Sequence, residues 1–267
     1  MEVQKIGEGN TAEVFTWGEN DILKLFRKEF PIREIEQEYR ISKVVEGLEV
    51  PIPRVRDMLE YEGRTGIVYE KIMGISLLKL LIDKPWIASG LAKTIARMHY
   101  DMHQQSVQGI PDCVETLRWR INHADNLPSP QKEEVLKTLD SLPRGSSLCH
   151  CDYHPGNIIK GDDRYVILDW MTATSGCASY DVARTIYLIR DAALPDYIPR
   201  VAKLAMNWMR RRLTNRYISC YKRLSGMQQK EIAAWRLPLI AARLTEWVPK
   251  IEEEAILAEI KEKTGVK

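Results

Sequence analysis

The apolar positions of this chain follow two rhythms. In the first stretch they come in short alternating runs: "EVQKI", "AEVFTWG" and "DILKLF" read as strands, separated by the turn-forming segments "GEGNT" and "GEN". "PIREIEQEYRISKVVEG" breaks the alternation with helical spacing; Pro31 suits a first turn and Gly47 an end. "PRVRDMLEYEGRTGIVYEKI" reads as two strands around the turn "EGRTG". From residue 75 the period lengthens to that of helices. "WIASGLAKTIARMHYDMHQ" puts Leu91, Ile95, Met98 and Met102 on one face, and "CVETLRWRINHA" and "SPQKEEVLKTLDSL" continue the pattern. Two short strands, "GNIIK" and "RYVILDW", interrupt it, and residues 179 to 264 return to helix almost throughout. The predicted fold class is α+β: a small β-rich lobe with one helix over residues 1–72, and a larger, mainly helical lobe over 73–267, joined at 70–74.

Composition narrows the function classes. A chain of 267 residues, 45% apolar and 28% charged, can bury a sizeable core as one large domain or two lobes. Its net charge of +2 is too small to imply nucleic acid as a partner. The best apolar run, "IAAWRLPLIAARL", carries two arginines and a proline, so no membrane partner is expected. No apolar stretch follows a basic start, which predicts a cytoplasmic location, and five cysteines suit reduced thiols there.

Three features carry candidate chemistry. "IGEGNTAEV" follows the first strand, and Gly7 and Gly9 allow a tight turn whose backbone can approach a phosphate; two such glycines also make an ordinary hairpin. Alternation in "DILKLF" puts Lys24 on a face with Ile22 and Phe26, where a partly buried ammonium needs an anion. Glu38, at the edge of the apolar stripe of the next helix, can supply it; the bland alternative is a snorkelling lysine and an exposed glutamate. The third feature is "CHCDYHPGNII" at 149–159. As a metal-thiolate site it is awkward, because Cys149, His150 and Cys151 are adjacent and point to alternate sides of an extended chain. An "HxDxH" metallohydrolase reading leaves Asn157 and Asp169 unexplained. Asp152, Asn157 and Asp169 together offer one base and two oxygen ligands, the set that Mg²⁺-assisted phosphoryl transfer needs.

"HCDYHPGNII" followed by "VILDW" resembles the corresponding segments of the aminoglycoside phosphotransferase and choline kinase family, usually close to "HGDLHPGNIL" and "IDWE". The resemblance runs through nearly the whole chain in order: "GEGNTAEV", Lys24, Glu38, "VYEKIMG", "ARMH", the 149–159 segment, "LDW" and "YDVA". It implies a protein-kinase-like two-lobed fold and an ATP- and Mg²⁺-dependent kinase acting on a hydroxyl of a small molecule. By that resemblance Asp152 is the catalytic base, and Asn157 and Asp169 hold Mg²⁺. Lys24 contacts the phosphates and pairs with Glu38. Gly7, Gly9 and Asn10 cover the nucleotide, and the backbone near Glu70 and Ile72 takes the adenine. His150, His154 and Asp181 brace the loop. The chain departs from the family pattern at Cys151, where glycine is usual; packing is the preferred account, since Asp152 next door disfavours a thiolate.

The acceptor is less legible. "RVAKLAMNWMRRRLTNRYISCYKR" holds eight basic residues and no acidic ones, which argues against a polycationic substrate unless the acids at 252–254 reach the cleft, although a solvated helix face is the preferred account of the run. Trp235, Glu246 and Trp247 can form an aromatic and acidic pocket for a small ammonium group, or the tryptophans can be core. The competing class is a nucleotide-binding pseudokinase or scaffold without turnover; the joint presence of Lys24, Asp152, Asn157 and Asp169 speaks against it.

Overall fold

The computed structural model describes residues 3–194 and 198–266. Glu2 of the expected first strand and residues 195–197 of the expected helical stretch lie outside them. The chain forms two compact units, Met1–Asp83 with Pro155–Ala173, and Lys84–His154 with Thr174–Lys267.

In the first unit, β1 (Lys5–Glu8), β2 (Ala12–Trp17), β3 (Asp21–Phe26), β4 (Val55–Tyr61) and β5 (Arg64–Glu70) form an antiparallel sheet in the order β1-β2-β3-β5-β4. Alternation in β3 sends Leu23 and Leu25 into one apolar cluster, with Val68, and Phe26 into another with Ala12, Val55, Ile67 and Ile35. Ile35 belongs to α1 (Ile32–Glu46), which begins just after Pro31 and ends at Gly47 as its pattern predicts. The buried stripe of α1 is Ile35, Glu38, Ile41, Ser42 and Val45, so Glu38 sits within the stripe and not at its edge.

The units do not divide at the join expected near residues 70–74. β6 (Ile75–Ser76) pairs with β8 (Ile158–Lys160), which pairs with β9 (Tyr165–Ile167), and this ladder ties residues 155–173 and α2 (Leu77–Asp83) to the first unit. Gly74 makes the approach possible: a Cβ there would strike the Lys160 carbonyl and the Ile159 side chain. β9 stops short of the end of the "RYVILDW" run: the Leu168 N–H still bonds to the Asn157 carbonyl in register with β8, and the extended backbone ends where Asp169 adopts a left-handed φ of 62°.

The second unit is helical around one short ladder, β7 (Ser147–Cys149) with β10 (Thr174–Gly176). Its helices are α3 (Ala88–His103), α4 (Cys113–Asn122), α5 (Ser129–Asp140), α6 (Ala178–Ile186), α7 (Arg200–Ser225), α8 (Gln229–Ala233), α9 (Arg236–Arg243) and α10 (Lys250–Thr264). α3 packs along α7, while α9 packs on α4, α5 and α10. On α3 the predicted Leu91, Ile95 and Met102 are buried, but Met98 is only half-buried; His99 and His103 lie on the core face instead. All five cysteines carry free thiols. Among the described residues no helix is long and apolar enough to cross a membrane.

Candidate active site

The first unit gathers Lys24, Glu38 and Asp169. Lys24 Nζ donates to Glu38 Oε1 at 2.7 Å and to Asp169 Oδ1 at 3.1 Å. The Lys24 side chain is 16% exposed and that of Glu38 1%, so this is an inward-facing ion pair, as the face-sharing of Lys24 predicts. Burial pulls the lysine pKa down, but Asp169 and Glu38 outweigh it and hold the group above its ordinary value. Burial pushes the Glu38 carboxyl up, against the opposing charge of Lys24. Tyr69 donates to Glu38 Oε1 at 3.0 Å, whereas Glu38 Oε2 is buried with no hydrogen-bond partner among the described residues. Asp169 differs: its side chain is 45% exposed. The Leu168-to-Asn157 backbone bond of 2.8 Å sets the chain on either side of this turn next to Asn157, so a carboxylate and an amide carbonyl come from adjacent strand ends. These hard oxygen donors suit Mg²⁺.

The glycine turn and the hinge are in the same unit. Gly9 N–H donates to the Ala12 carbonyl at 2.8 Å, closing the turn. Neither Gly7 nor Gly9 has a positive φ, and a Cβ at either would meet its neighbours at ordinary contact distance, so the fold itself does not demand glycine there. Arg27 holds the turn from below, donating to the carbonyls of Asn10 at 3.0 Å and Gly9 at 3.2 Å and to Glu8 at 2.7 Å. Sequence reasoning missed this arginine, whose only signal is a basic residue directly after β3. Glu70 N–H donates to the Arg54 carbonyl, and its carboxylate takes Arg164 at 2.9 Å. Ile72 is half-buried and followed by exposed Met73.

The second unit holds the loop that carries Asp152, and α6 grips that loop by its backbone. Asp181 accepts from the N–H of His150 at 2.6 Å and of Cys151 at 2.8 Å. Arg184, three residues on and so on the same helical face, donates Nε–H to the Cys151 carbonyl at 2.9 Å. The peptide units on both sides of Cys151 are thus fixed, and Cys151 has a left-handed φ of 64°. Burial and the nearby Asp181 charge push its thiol pKa up, and Sγ packs against Thr174 Oγ1 at 3.2 Å, which supports the packing role and not a reactive one. His150 is fully buried and accepts from Asp152 N–H at 3.2 Å. His154 Nε2 lies 3.6 Å from Asp152 Oδ2. Burial would raise the Asp152 carboxyl, but the bond and charge of His154 and the Arg184 charge hold it below its ordinary value, so it is ionised at neutral pH.

Asp181 is itself anchored. His99 Nε2 reaches its Oδ2 at 3.1 Å and His103 Nε2 at 3.2 Å, while Tyr217 and Tyr221 hydroxyls lie 2.6 Å from the respective Nδ1 atoms. The ligand atoms of His99, His103 and Asp181 fall within 4.8 Å of one another, a spacing a metal could use. Four donors to one carboxylate already account for the arrangement without an ion. Burial would raise the Asp181 carboxyl, yet the histidines hold it well below the usual range. His103 therefore has a partner set that its sequence context did not reveal.

The expected Trp235, Glu246 and Trp247 pocket is not assembled. Trp235 is fully buried and donates to Ser179 Oγ at 2.7 Å, so it is core; Trp247 is 83% exposed. Glu246 accepts from Arg184 at 2.8 Å and Arg120 at 2.6 Å, and also pairs with Arg243. Although burial opposes it, these arginines pull the Glu246 carboxyl down to about 2. A cavity of about 570 Å³ does open beside it, with Trp119 stacked on His123 at 4.2 Å as its aromatic wall.

A profile of the phosphotransferase enzyme family matches residues 2–214. Curated protein sequences return no match. Among solved structures, the streptomycin–ATP–APH(2")-IIa ternary complex is 13% identical, with a TM-score of 0.60 over 98% of this chain and 91% of that one. An aminoglycoside-3'-phosphotransferase of type VIII is 13% identical, at 0.61 over 91% and 92%. A putative fructosamine-3-kinase from Haemophilus somnus 129PT is 11% identical, at 0.59 over 97% and 91%. At these identities the likeness establishes the kinase-like fold.

Proposed function

The chain belongs to the phosphotransferase enzyme family, and on that premise we propose that it transfers the γ-phosphate of ATP to a hydroxyl group of a small molecule. The observation that carries this reading is Lys24 bridging Glu38 and Asp169 at 2.7 and 3.1 Å. A buried lysine aimed at a half-exposed carboxylate provides a cation for phosphate oxygens and an anion for their metal. That neither Gly7 nor Gly9 is required by the fold supports a close-approaching nucleotide over the turn. APH(2")-IIa was solved with ATP, APH(2'')-Ib with ADP and an aminoglycoside 2'-phosphotransferase-IIIa mutant with GDP, which supports a purine nucleotide here as well.

In this mechanism Asp152, ionised at neutral pH, orients the acceptor hydroxyl and takes its proton as the bond to phosphorus forms. Lys24 binds the phosphates, held in place by Glu38. Asn157 and Asp169 hold Mg²⁺, which when bound neutralises charge on the phosphates. Asp181 and Arg184 keep the Asp152 loop in one conformation. The acceptor has little positive charge. Glu246 is matched by three arginines, and α7 carries eight basic residues and no acid, which supports an acceptor of low positive charge.

The test is ADP release with product mass, from purified protein and MgATP, over aminoglycosides, macrolides, choline and ethanolamine, sugars and nucleosides. A product heavier by one phosphoryl group, at least about a hundredfold slower to form in Asp152→Asn, is expected. Tight ATP binding without turnover on any acceptor would instead favour the nucleotide-binding module, and no ATP binding would remove the roles given to Lys24, Asn157 and Asp169.

A further inference from the structure

The hydroxyls of Tyr217 and Tyr221 serve no ligand in the mechanism above, yet both are fully buried and aimed at histidine nitrogens. The two couples are built alike. His99 and His103 are four apart on α3, Tyr217 and Tyr221 four apart on α7, and each pair lies along one helical face. Both Nε2 atoms point at Asp181 Oδ2, at 3.1 and 3.2 Å.

For a neutral ring, hydrogen-bond chemistry allows each link one direction. An ionised carboxylate only accepts, so each Nε2 must carry a proton and donate it. A neutral imidazole has one proton, which leaves Nδ1 as an acceptor, and the tyrosine O–H at 2.6 Å is the donor that fills it. Without that donor, the imidazole can move its proton to Nδ1 and turn a bare Nε2 lone pair on Asp181. The carboxylate would lose a donor and face a repulsion in a fully buried site. His99 also stacks on Tyr153 of the Asp152 loop at 4.0 Å, and Tyr153 donates to the Ile95 carbonyl at 2.9 Å, so the loop touches the same helix twice.

We infer that Tyr217 and Tyr221 are positioning residues: by donating to Nδ1 of His99 and His103 they lock both rings in the Nε2–H form, so that Asp181 holds the backbone of the Asp152 loop. The proposal rests on Asp152 being the base of a phosphotransfer reaction, but its first readout does not. Long-range ¹H–¹⁵N spectra of the histidine-labelled wild-type protein, recorded without substrate, report the tautomers directly. Rings with Nε2 protonated and Nδ1 bare are expected at both positions; an Nδ1–H or doubly protonated ring at either would overturn the lock.

The second readout compares Tyr217→Phe and Tyr221→Phe. Each is expected to shift its own histidine toward the other tautomer, to lower kcat by about tenfold, and to leave KM for MgATP within about twofold. A merely structural role would leave the tautomers in place, and unchanged tautomers with unchanged kcat would sink the proposal. Should a variant fail to fold, the wild-type spectrum still decides. Should the wild type phosphorylate nothing, the phosphotransfer reading falls, while the tautomers seen in the spectra continue to support or overturn the lock.

Discussion

The Lys24 site and the Asp181 clamp are both buried clusters of charge, and they are balanced in opposite ways. Lys24 serves two carboxylates, one of them half-exposed, and Glu38 keeps a buried oxygen with no partner among the described residues. Asp181 has the reverse: a single carboxylate receives two backbone amides and two imidazoles. An under-matched cluster open to solvent has capacity left for phosphate and metal, whereas a saturated one resists any change and so holds geometry. Glu246, with three arginines around one carboxylate, belongs with the clamp: through Arg184 it secures the Cys151 carbonyl.

The largest effects should separate the two clusters. Asp181→Ala leaves two amides and two imidazoles without an acceptor in the core, and urea unfolding should show a loss of about 3–5 kcal/mol. Asp169→Ala removes a half-exposed carboxylate while Lys24 keeps Glu38, so its cost should stay within about 1 kcal/mol although activity is lost. Equal stability costs for the two variants would erase the distinction.

Much of the under-matched site is legible in the sequence, because local periodicity governs it. Alternation puts Lys24 on a buried face, and helical spacing turns Glu38 toward it. The clamp is not legible in the same way. Counting apolar residues on α3 selects Met98, but the core face carries His99 and His103. These polar groups are tolerated inside only because of partners 78 to 118 residues away, which no local pattern encodes. The same limit hid the pairing of β6 with β8, and with it the division between units. Trp235 and Trp247 both fall in the run expected to be helix almost throughout, yet Trp235 lies in the turn before α9 and is core, whereas Trp247 lies in the irregular segment between α9 and α10 and is exposed; packing decides, not composition.

Glu246 gives the clamp a pH signature of intermediate size. Its carboxyl is drawn from an ordinary 4.5 to about 2 in the folded chain. A depressed carboxylate contributes stability that is fully present above pH 4.5 and is lost as pH falls toward 2. About 2–3 kcal/mol should disappear across that window in the wild type. Glu246→Gln should already lack it at pH 7 and show a flatter stability curve on acidification. A variant that keeps the wild-type acid slope would place that slope on another group.

The smallest effect concerns Cys151, where the clamp holds an unfavourable backbone. A non-glycine residue at a φ of 64° is strained by about 1–2 kcal/mol, and such strain persists only where surroundings fix the peptide on both sides. Asp181 and Arg184 do that here. Cys151→Gly relieves the strain but gives up the thiol packed on Thr174 and frees the unfolded chain, so its stability should fall within about 1 kcal/mol of wild type. Cys151→Ala keeps the strain and also loses the thiol. The glycine variant should therefore be the more stable of the two by about 1 kcal/mol, measured as a shift in urea midpoint. An alanine variant as stable as glycine would mean that the left-handed turn costs nothing, and the double grip of α6 on this residue would then need another purpose.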